Sequence, residues 1–363
     1  MKADKYAGRN ADRKVLLYQG GKKLVERSGV GRALEHQKRA LEAAGISYTL
    51  DPEADHTIVH LNTVFPDSLW MSLRARAAGK TVIYFGHSTR EDFRNSFPGS
   101  NAVSGLFRKW IEKCYSSADL VITPTPYSRR LLEGYRLRTP VTALSNGIDL
   151  DVFQKDAQGG ERFRRNFDFR PSEKIVLGVG HYMERKGILD FVDMAERFPR
   201  YRFVWFGYTP PALVTKKVKR ALKKGKELSN LLFPGYADRQ ALLDAYSGSD
   251  LFFFPTMEET EGIVMLEAMA MRLPILVRDI PVYEDWLEHG RSVYKGKTQE
   301  EFASLLCGIL EGKLADLTEE AYGIVQKNSI VSIGAALADI YEGLESRSGK
   351  KESYENLNYH RLV

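Results

Sequence analysis

The stretch that most constrains the fold is residues 254–278, which has the pattern of a strand end, a loop, a helix and a second strand. The apolar run before it, residues 251–255, ends in proline and predicts a buried strand. From Gly262 the apolar residues recur with a helical period, and Pro274 ends that helix before another apolar strand. Strands joined by a helix lie parallel in one sheet, so the stretch predicts an α/β protein.

The loop in this stretch is placed where open parallel sheets bind ligands, beyond the carboxyl ends of the strands. The helix start at Gly262, Ile263 and Val264 offers free backbone N–H groups and a positive dipole end, which suit a phosphate. Seven residues separate Glu259 in the loop from Glu267 in the helix. A phosphate at the amides would leave Glu259 beside the group it carries and Glu267 within reach of a ribose. The alternative is that acidic residues simply favour a helix N-terminus.

Alternating strand and helix signals occur twice along the chain, on either side of a polar gap at residues 156–171. This repetition predicts two doubly wound parallel sheets in two domains that form a cleft, and a length of 363 residues supports two cores. The predicted strands are residues 15–18, 46–50, 58–61, 81–85, 120–123 and 141–145, then 175–180, 203–206, 231–233, 251–254 and 275–277.

The charge predicts an anionic partner. The net charge is +6 and the pI is near 9.0, which fits a nucleotide, a membrane surface or a nucleic acid. Nucleic acid is the weakest of the three, because the chain has neither an aromatic–glycine RNA motif nor zinc-finger spacing. Cys114 and Cys307 fit no metal or disulfide spacing and indicate a reducing compartment. With no signal-peptide pattern and no apolar run of the ~20 residues that span a bilayer, a cytoplasmic location is expected.

Five short motifs occur in order within residues 14–345. They are Ser28-Gly-Val-Gly31, the loop 86–94 with His87, the turn 145–149, the strand and loop 179–187, and the pair Glu259-x7-Glu267. Together they resemble the motifs of the retaining glycosyltransferases of family 4, which have the GT-B fold. The resemblance implies two Rossmann-like domains facing across a cleft. We place them at residues 1–160 and 161–330, and expect a helix at about 331–363 to pack back on the first domain.

The resemblance assigns roles to two cations and a histidine. Arg185 and Lys186 would neutralise a nucleotide diphosphate and the charge that grows as it leaves. A solvated basic pair is the alternative, disfavoured because cations oppose the dipole at a helix start. His181 stands where the family usually has an arginine. His87 would contact the donor sugar, although a structural histidine is the common alternative.

The glycine loop and an acidic turn complete the candidate residues. Ser28, Gly29 and Gly31 could bring backbone amides close to a phosphate or sugar, although glycines also serve tight turns. Asp149-Leu-Asp151 resembles a metal motif of another glycosyltransferase fold, but it lies in the interdomain turn and is interpreted as structural. We therefore expect no catalytic metal and no cofactor other than the donor substrate.

The resemblance is strongest to bacterial synthases that glycosylate diacylglycerol or a monoglycosylated diacylglycerol, as in membrane glycolipids and lipoteichoic acid anchors. It implies transfer of glucose or galactose from UDP-glucose or UDP-galactose, with retention, by an enzyme bound to the anionic inner face of the cell membrane. One alternative is a family 4 transferase acting on a soluble or polyprenyl-linked glycan. Another is a non-catalytic protein that binds nucleotide sugars or glycans.

Two basic stretches are candidates for the membrane contact. Residues 105–115 place Trp110 beside Arg108 and Lys109, as in an interfacial helix, although a helix packed on the core is equally compatible. Residues 215–226 carry seven cations and form either a solvated face or an electrostatic tether.

Overall fold

The computed structural model describes residues 13–21 and 28–348. They form two compact units. One comprises the chain up to Arg90, Gly105–Asp149 and the chain from Lys327 onward, and the other comprises Glu91–Ser104 and Leu150–Gln326. The predicted boundary at residues 160/161 differs from this division, because residues 91–104 and 150–160 belong to the second unit.

The first unit has a six-stranded parallel sheet in the order β2-β1-β3-β4-β5-β6. Its strands are β1 (Lys14–Tyr18), β2 (Ser47–Thr49), β3 (Ile58–Leu61), β4 (Thr81–Phe85), β5 (Leu120–Thr123) and β6 (Val141–Ala143). The helices that lie between these strands in the sequence are α1 (Gly29–Ala43), α2 (Pro66–Ala77), α3 (Arg90–Phe93), α4 (Ser100–Tyr115) and α5 (Pro126–Glu133). Most of α3 and the first five residues of α4 belong to the second unit.

The second unit has a six-stranded parallel sheet in the order β12-β11-β10-β7-β8-β9. Its strands are β7 (Ile175–Val179), β8 (Arg202–Phe206), β9 (Leu231–Gly235), β10 (Leu251–Phe254), β11 (Ile275–Arg278) and β12 (Tyr294–Gly296). The helices that begin in this unit are α6 (Ala157–Asn166), α7 (Ile188–Arg197), α8 (Lys216–Glu227), α9 (Arg239–Gly248), α10 (Ile263–Ala270), α11 (Gln299–Leu310) and α12 (Thr318–Lys327). The prediction of two doubly wound parallel sheets is confirmed.

The last helix, α13 (Ile330–Ser348), belongs to the first unit. It packs against α1 so closely that a Cβ at Gly334 would lie 2.2 Å from the carbonyl oxygen of Ala40. Its apolar residues, including Leu337 and Tyr341, share a core with one face of the first sheet. The part of the predicted helix beyond residue 348 lies outside the described residues.

The polar gap at residues 156–171 contains a helix that was not predicted, α6. Asp156 caps this helix by accepting from the backbone N–H groups of Gln158 and Gly159. Arg162 forms an ion pair with Asp244 of α9 at 2.8 Å. The strand β12 was also not predicted, because three residues give too short a pattern.

Helix α4 packs on the core of the first unit. Ile111 and Tyr115 are fully buried, and the indole N–H of Trp110 donates to the carbonyl of Val64 at 2.6 Å. Trp110 therefore faces the protein, which corrects its suggested place at a membrane surface. Among the described residues, no helix combines the length and apolar character needed to cross a membrane.

Candidate active site

The candidate site lies where the strand order of the second sheet reverses. The sheet runs outward from β7 through β8 and β9 on one side, and from β10 through β11 and β12 on the other. Residues 180–187 follow β7 and residues 255–262 follow β10, so both loops leave the carboxyl ends of adjacent strands. Ligands of doubly wound sheets bind at this position.

A glycine brings the two loops together. Gly187 has φ of +78°, and a Cβ there would lie 2.2 Å from the carbonyl oxygen of Pro255, so only glycine fits. The backbone N–H of Met257 donates to the carbonyl of Arg185 at 2.7 Å, and the Thr256 hydroxyl oxygen lies 3.1 Å from the same carbonyl. The residues before Gly187 are thereby fixed beside the acidic loop.

Lys186 and Glu259 form the central ion pair of the site. The Lys186 ammonium lies 2.6 Å from Glu259 Oε1, which also accepts from the Thr256 hydroxyl at 2.9 Å. Burial lowers the pKa of Lys186, although the Glu259 carboxylate opposes this shift. Burial by itself would raise the pKa of Glu259, but Lys186, Arg185 and Thr256 outweigh it and hold that pKa below its usual value. The Glu259 carboxylate is therefore ionised at neutral pH and accepts a hydrogen bond from Lys186.

Arg185 is held by other partners. Its guanidinium lies 2.8 Å from an Asp92 carboxylate oxygen and donates to the Ser96 hydroxyl at 3.2 Å and to the Glu258 carbonyl at 3.0 Å. Its nearest approach to Glu259 is 3.9 Å. Burial raises the pKa of Asp92, opposed by Arg185 and Lys186. Sequence reasoning missed Asp92 and Ser96, because residues far away in the chain carry no motif that pairs them with Arg185.

Helix α10 begins at the predicted position. Its N-cap is Gly262, with φ of +88°, which has no side chain that could cap the N–H groups of the first turn. That turn includes Ile263 and Val264. Glu267 is 1% exposed, and one of its carboxylate oxygens accepts from the Tyr246 hydroxyl at 2.8 Å. Tyr246, on α9, was not predicted either.

The second unit thus assembles Arg185, Lys186, Glu259, Glu267 and the start of α10 around adjacent loops. The cluster combines two basic side chains, Arg185 and Lys186, with two acidic ones, Asp92 and Glu259. A diphosphate oxygen could replace the Glu259 carboxylate at Lys186 without leaving the ammonium unpaired. Whether these groups bind donor and transfer sugar stays a prediction.

His87 belongs to the first unit and follows β4. Its ring stacks on Phe85 at a centroid distance of 4.7 Å, and its Nε2 lies 3.4 Å from the Asn62 side-chain oxygen. Burial, with a smaller effect from His60, lowers the pKa of His87 to about 3. The ring is therefore neutral at physiological pH and can exchange hydrogen bonds without carrying charge.

The glycine loop lies at the start of α1. Ser28 is the N-cap, in an extended conformation, and its carbonyl accepts from the backbone N–H of Arg32 at 3.2 Å. A Cβ at Gly29 would meet no atom of the described residues within 4 Å, so no contact with them requires glycine at this position. Gly31 lies in the first turn of the same helix. Their proposed contact with donor stays a prediction.

The acidic turn makes a protein contact. Asp149 is buried and pairs with Arg39 of α1. Among residues 13–21 and 28–348, no group of three histidine, cysteine or acidic side chains is arranged to hold a metal ion.

Comparison with protein families gives two matches that together span most of the chain. Residues 35–152 match the family described as Glycosyltransferase Family 4, and residues 160–323 match Glycosyl transferases group 1. The processive diacylglycerol alpha-glucosyltransferase of Acholeplasma laidlawii is 42% identical over 330 residues, covering 91% of this chain and 98% of that protein. The alpha-galactosylglucosyldiacylglycerol synthase of Streptococcus pneumoniae is 25% identical over 88% of this chain and 86% of its own length.

Solved structures resemble the fold at lower identity. Anabaena HepE in complex with UDP-glucose superposes with a TM-score of 0.73 at 17% identity, covering 91% of this chain and 99% of that one. Sucrose-phosphate synthase from Thermosynechococcus elongatus gives 0.74 at 17% identity, covering 92% and 99%. These likenesses establish the fold alone.

Proposed function

Because the chain belongs to the family 4 glycosyltransferases of the GT-B fold, we propose that it transfers a hexose from a UDP-sugar to a lipid-linked acceptor with retention of anomeric configuration. The observation that carries the acceptor class is the 42% identity, over nearly the full length of both chains, to a processive diacylglycerol alpha-glucosyltransferase. We propose glucose as the hexose and both diacylglycerol and monoglucosyl-diacylglycerol as acceptors, since a processive enzyme uses its own product. Galactose is the competing donor sugar, as the pneumococcal relative is named for a galactosyl lipid.

The donor site proposed is the switch point of the second sheet. The diphosphate would bind the N–H groups at Gly262, Ile263 and Val264 and the Lys186 ammonium, displacing Glu259 from that ammonium. Glu259 would then face the hexose, and Glu267 would accept from the ribose hydroxyls. HepE was crystallised with UDP-glucose, which supports a UDP-sugar as donor for the same fold.

The step we favour is front-face attack by the acceptor hydroxyl on the anomeric carbon. The bond from that carbon to the diphosphate oxygen breaks, and the departing diphosphate takes the acceptor proton. Lys186 and the helix amides would stabilise the negative charge that grows on the leaving group. His87, neutral because its pKa is about 3, would serve as a hydrogen-bonding partner for sugar rather than as a base.

We further propose that the enzyme works at the cytoplasmic face of the cell membrane. The acyl chains of the acceptor stay in the bilayer, because each buried CH₂ contributes about 0.8 kcal/mol. The basic excess of the chain suits an anionic surface.

The decisive experiment measures UDP release and lipid product with UDP-glucose and with UDP-galactose. Each donor is tested without acceptor, with diacylglycerol, with monoglucosyl-diacylglycerol and with a polyprenyl-linked glycan. We expect release from UDP-glucose that depends on the two glycerolipids, and an α-linked product by NMR. Transfer to the polyprenyl-linked glycan alone would favour the other family 4 activity, and binding without turnover would favour a non-catalytic protein.

A further inference from the structure

One stripe of α4 combines an exposed leucine with cations. Leu106 is 71% exposed, more than any other large apolar side chain among the described residues. Lys109 and Lys113 follow it at helical spacing and are also exposed. The opposite side of the helix is buried, so this stripe is its solvent side.

The turn after α5 extends the stripe. A guanidinium N–H of Arg108 donates to the carbonyl of Gly134 at 3.1 Å, and the same guanidinium stacks on the Tyr135 ring at 4.5 Å. The backbone N–H of Arg136 points to Glu112 at 3.5 Å. These contacts hold the turn along α4, with the exposed Arg136 beside Glu112 and the exposed Arg138 two residues further along the chain. We name Leu106, Lys109, Lys113, Arg136 and Arg138 the α4 basic face.

The charges of the α4 basic face are uncompensated by the described part of the chain. Neither the two lysines nor Arg136 and Arg138 form an ion pair with a described residue. The neighbouring acidic groups, Glu112 and Glu133, are already paired with Arg108 and Arg129. The face is therefore positively charged around an apolar tip, which is the combination that interfacial helices present to anionic lipid.

We propose that the α4 basic face docks on an anionic lipid bilayer. The proposal rests on the proposed function, which places the acceptor in a membrane. A second copy of the chain is the less suitable occupant, because a symmetric contact would bring two identical cationic faces together. A bilayer surface supplies the opposite charge and an apolar layer for Leu106.

Two other helices expose either cations or large apolar side chains, but neither combines an apolar side chain with unpaired cations. The exposed side of α8 carries more cations, at Lys216, Lys217, Lys219, Arg220, Lys223 and Lys226, but α8 exposes no large apolar side chain. The exposed side of α2 presents Trp70 and Leu73 at 58% and 54%, but its Arg74 and Arg76 pair with Glu53 and Asp119. They provide controls for charge without an apolar tip and for an apolar tip without free charge.

The test compares two triple variants with equal changes in net charge. The face variant is Lys109→Glu, Lys113→Glu, Arg136→Glu, and the control is Lys219→Glu, Arg220→Glu, Lys223→Glu. Binding is measured by sedimentation with phosphatidylcholine vesicles and with mixed phosphatidylcholine and phosphatidylglycerol vesicles, without donor or acceptor. We expect the face variant to lose about a hundredfold in partitioning onto the anionic vesicles, from about 1 kcal/mol per cation. The control should stay within about threefold of the wild type.

Equal losses in both variants would show that overall charge drives binding, and a loss confined to the control would move the docking site to α8. Either result overturns the proposal. Leu106→Ser should also weaken anionic vesicle binding, whereas Trp70→Ala should not. Sedimentation velocity gives the remaining outcome, since a dimer that Leu106→Ser abolishes would identify the face as a self-interface.

Failure of the docking surface can be distinguished from failure of the proposed function. Transfer to monoglucosyl-diacylglycerol dispersed in detergent needs no bilayer, so the face variant should retain it. Vesicle binding without turnover in the wild type would contradict the function and leave the docking surface supported. Turnover in detergent with equal vesicle binding by the wild type and the face variant would contradict the docking surface alone.

Discussion

The carboxyl edges of the two sheets have the same architecture and different chemistry. Each sheet has six parallel strands whose order reverses next to its first strand. At the second sheet, the loops at this position bring together buried ions, with Lys186 and Glu259 2.6 Å apart. At the first sheet, Asn62 follows β3 and His87 lies two positions after β4, and neither side chain is charged at neutral pH. The doubly wound fold supplies the position, and the loop residues decide whether it suits a diphosphate or neutral hydroxyl groups. We call the carboxyl edge of the second sheet the ionic edge and that of the first sheet the neutral edge.

The largest expected effect tests the ionic edge. Lys186→Ala should remove about 2–4 kcal/mol of transition-state stabilisation, measured as a decrease in kcat/KM. The reason is that the ammonium would stabilise the negative charge that grows on the leaving diphosphate. Steady-state kinetics with UDP-glucose and acceptor measure it. Lys219→Ala, an exposed lysine of the same unit, is the control and should behave as wild type. Activity within a few-fold of wild type in folded Lys186→Ala would remove the central role given to this edge.

The next effect separates the two carboxylates of the ionic edge. Glu267→Ala should weaken UDP binding by about 1.5–3 kcal/mol, the usual value of hydrogen bonds to a charged group. Glu259→Gln should leave UDP affinity nearly unchanged and lower turnover, because we propose that Glu259 contacts the hexose and that the diphosphate replaces it at Lys186. Calorimetry with UDP on both variants decides the assignment. If Glu259→Gln loses UDP as severely as Glu267→Ala, the assigned roles are wrong.

The neutral edge predicts a pH effect on stability. The folded-state pKa of His87, about 3, lies below the unfolded value of about 6.5, so the unfolded chain binds the proton first as pH falls. Stability is therefore unaffected above pH ~6.5 and is lost progressively below it. Between pH 7 and pH 5 this histidine should lower the free energy of unfolding by about 2 kcal/mol. In urea unfolding, the His87→Gln variant should therefore lose about 2 kcal/mol less stability over this range than the wild type. An equal loss in both proteins would mean that His87 titrates normally and that the first edge gains charge.

The alternation of apolar runs and helical periods was enough to predict both sheets. Each of these patterns is set by residues that are close together in the sequence. Lys186, Glu259, Glu267 and the start of α10 could also be selected, because each is near in sequence to a strand end. Their partners could not. Nothing local predicts that Asp92 meets Arg185, which lies 93 positions later in the numbering. The helix α6 was missed because its buried face is small, with Phe163 flanked by charged residues and two glycines.

The smallest effect concerns a partner that only the structure supplied. The Tyr246 hydroxyl donates to Glu267 at 2.8 Å and so orients a carboxylate that we assign to the ribose. Tyr246→Phe should weaken UDP binding by about 0.5–1.5 kcal/mol, the net value of one hydrogen bond. It should leave the affinity for 2′,3′-dideoxy-UDP unchanged, because a ribose without hydroxyls cannot use Glu267.

A structural role alone would lower both affinities together, so the pair of ligands separates orientation from general loosening. Tyr294→Phe is the matched control, since its hydroxyl donates to the carbonyl of Ala315 at 3.0 Å in the same unit. It should change neither affinity. Calorimetry with both nucleotides on both variants makes the measurement, and parallel losses of the two nucleotides in Tyr246→Phe would contradict a ribose-facing Glu267. The ionic edge would then bind the diphosphate without a contact between Glu267 and the ribose hydroxyls.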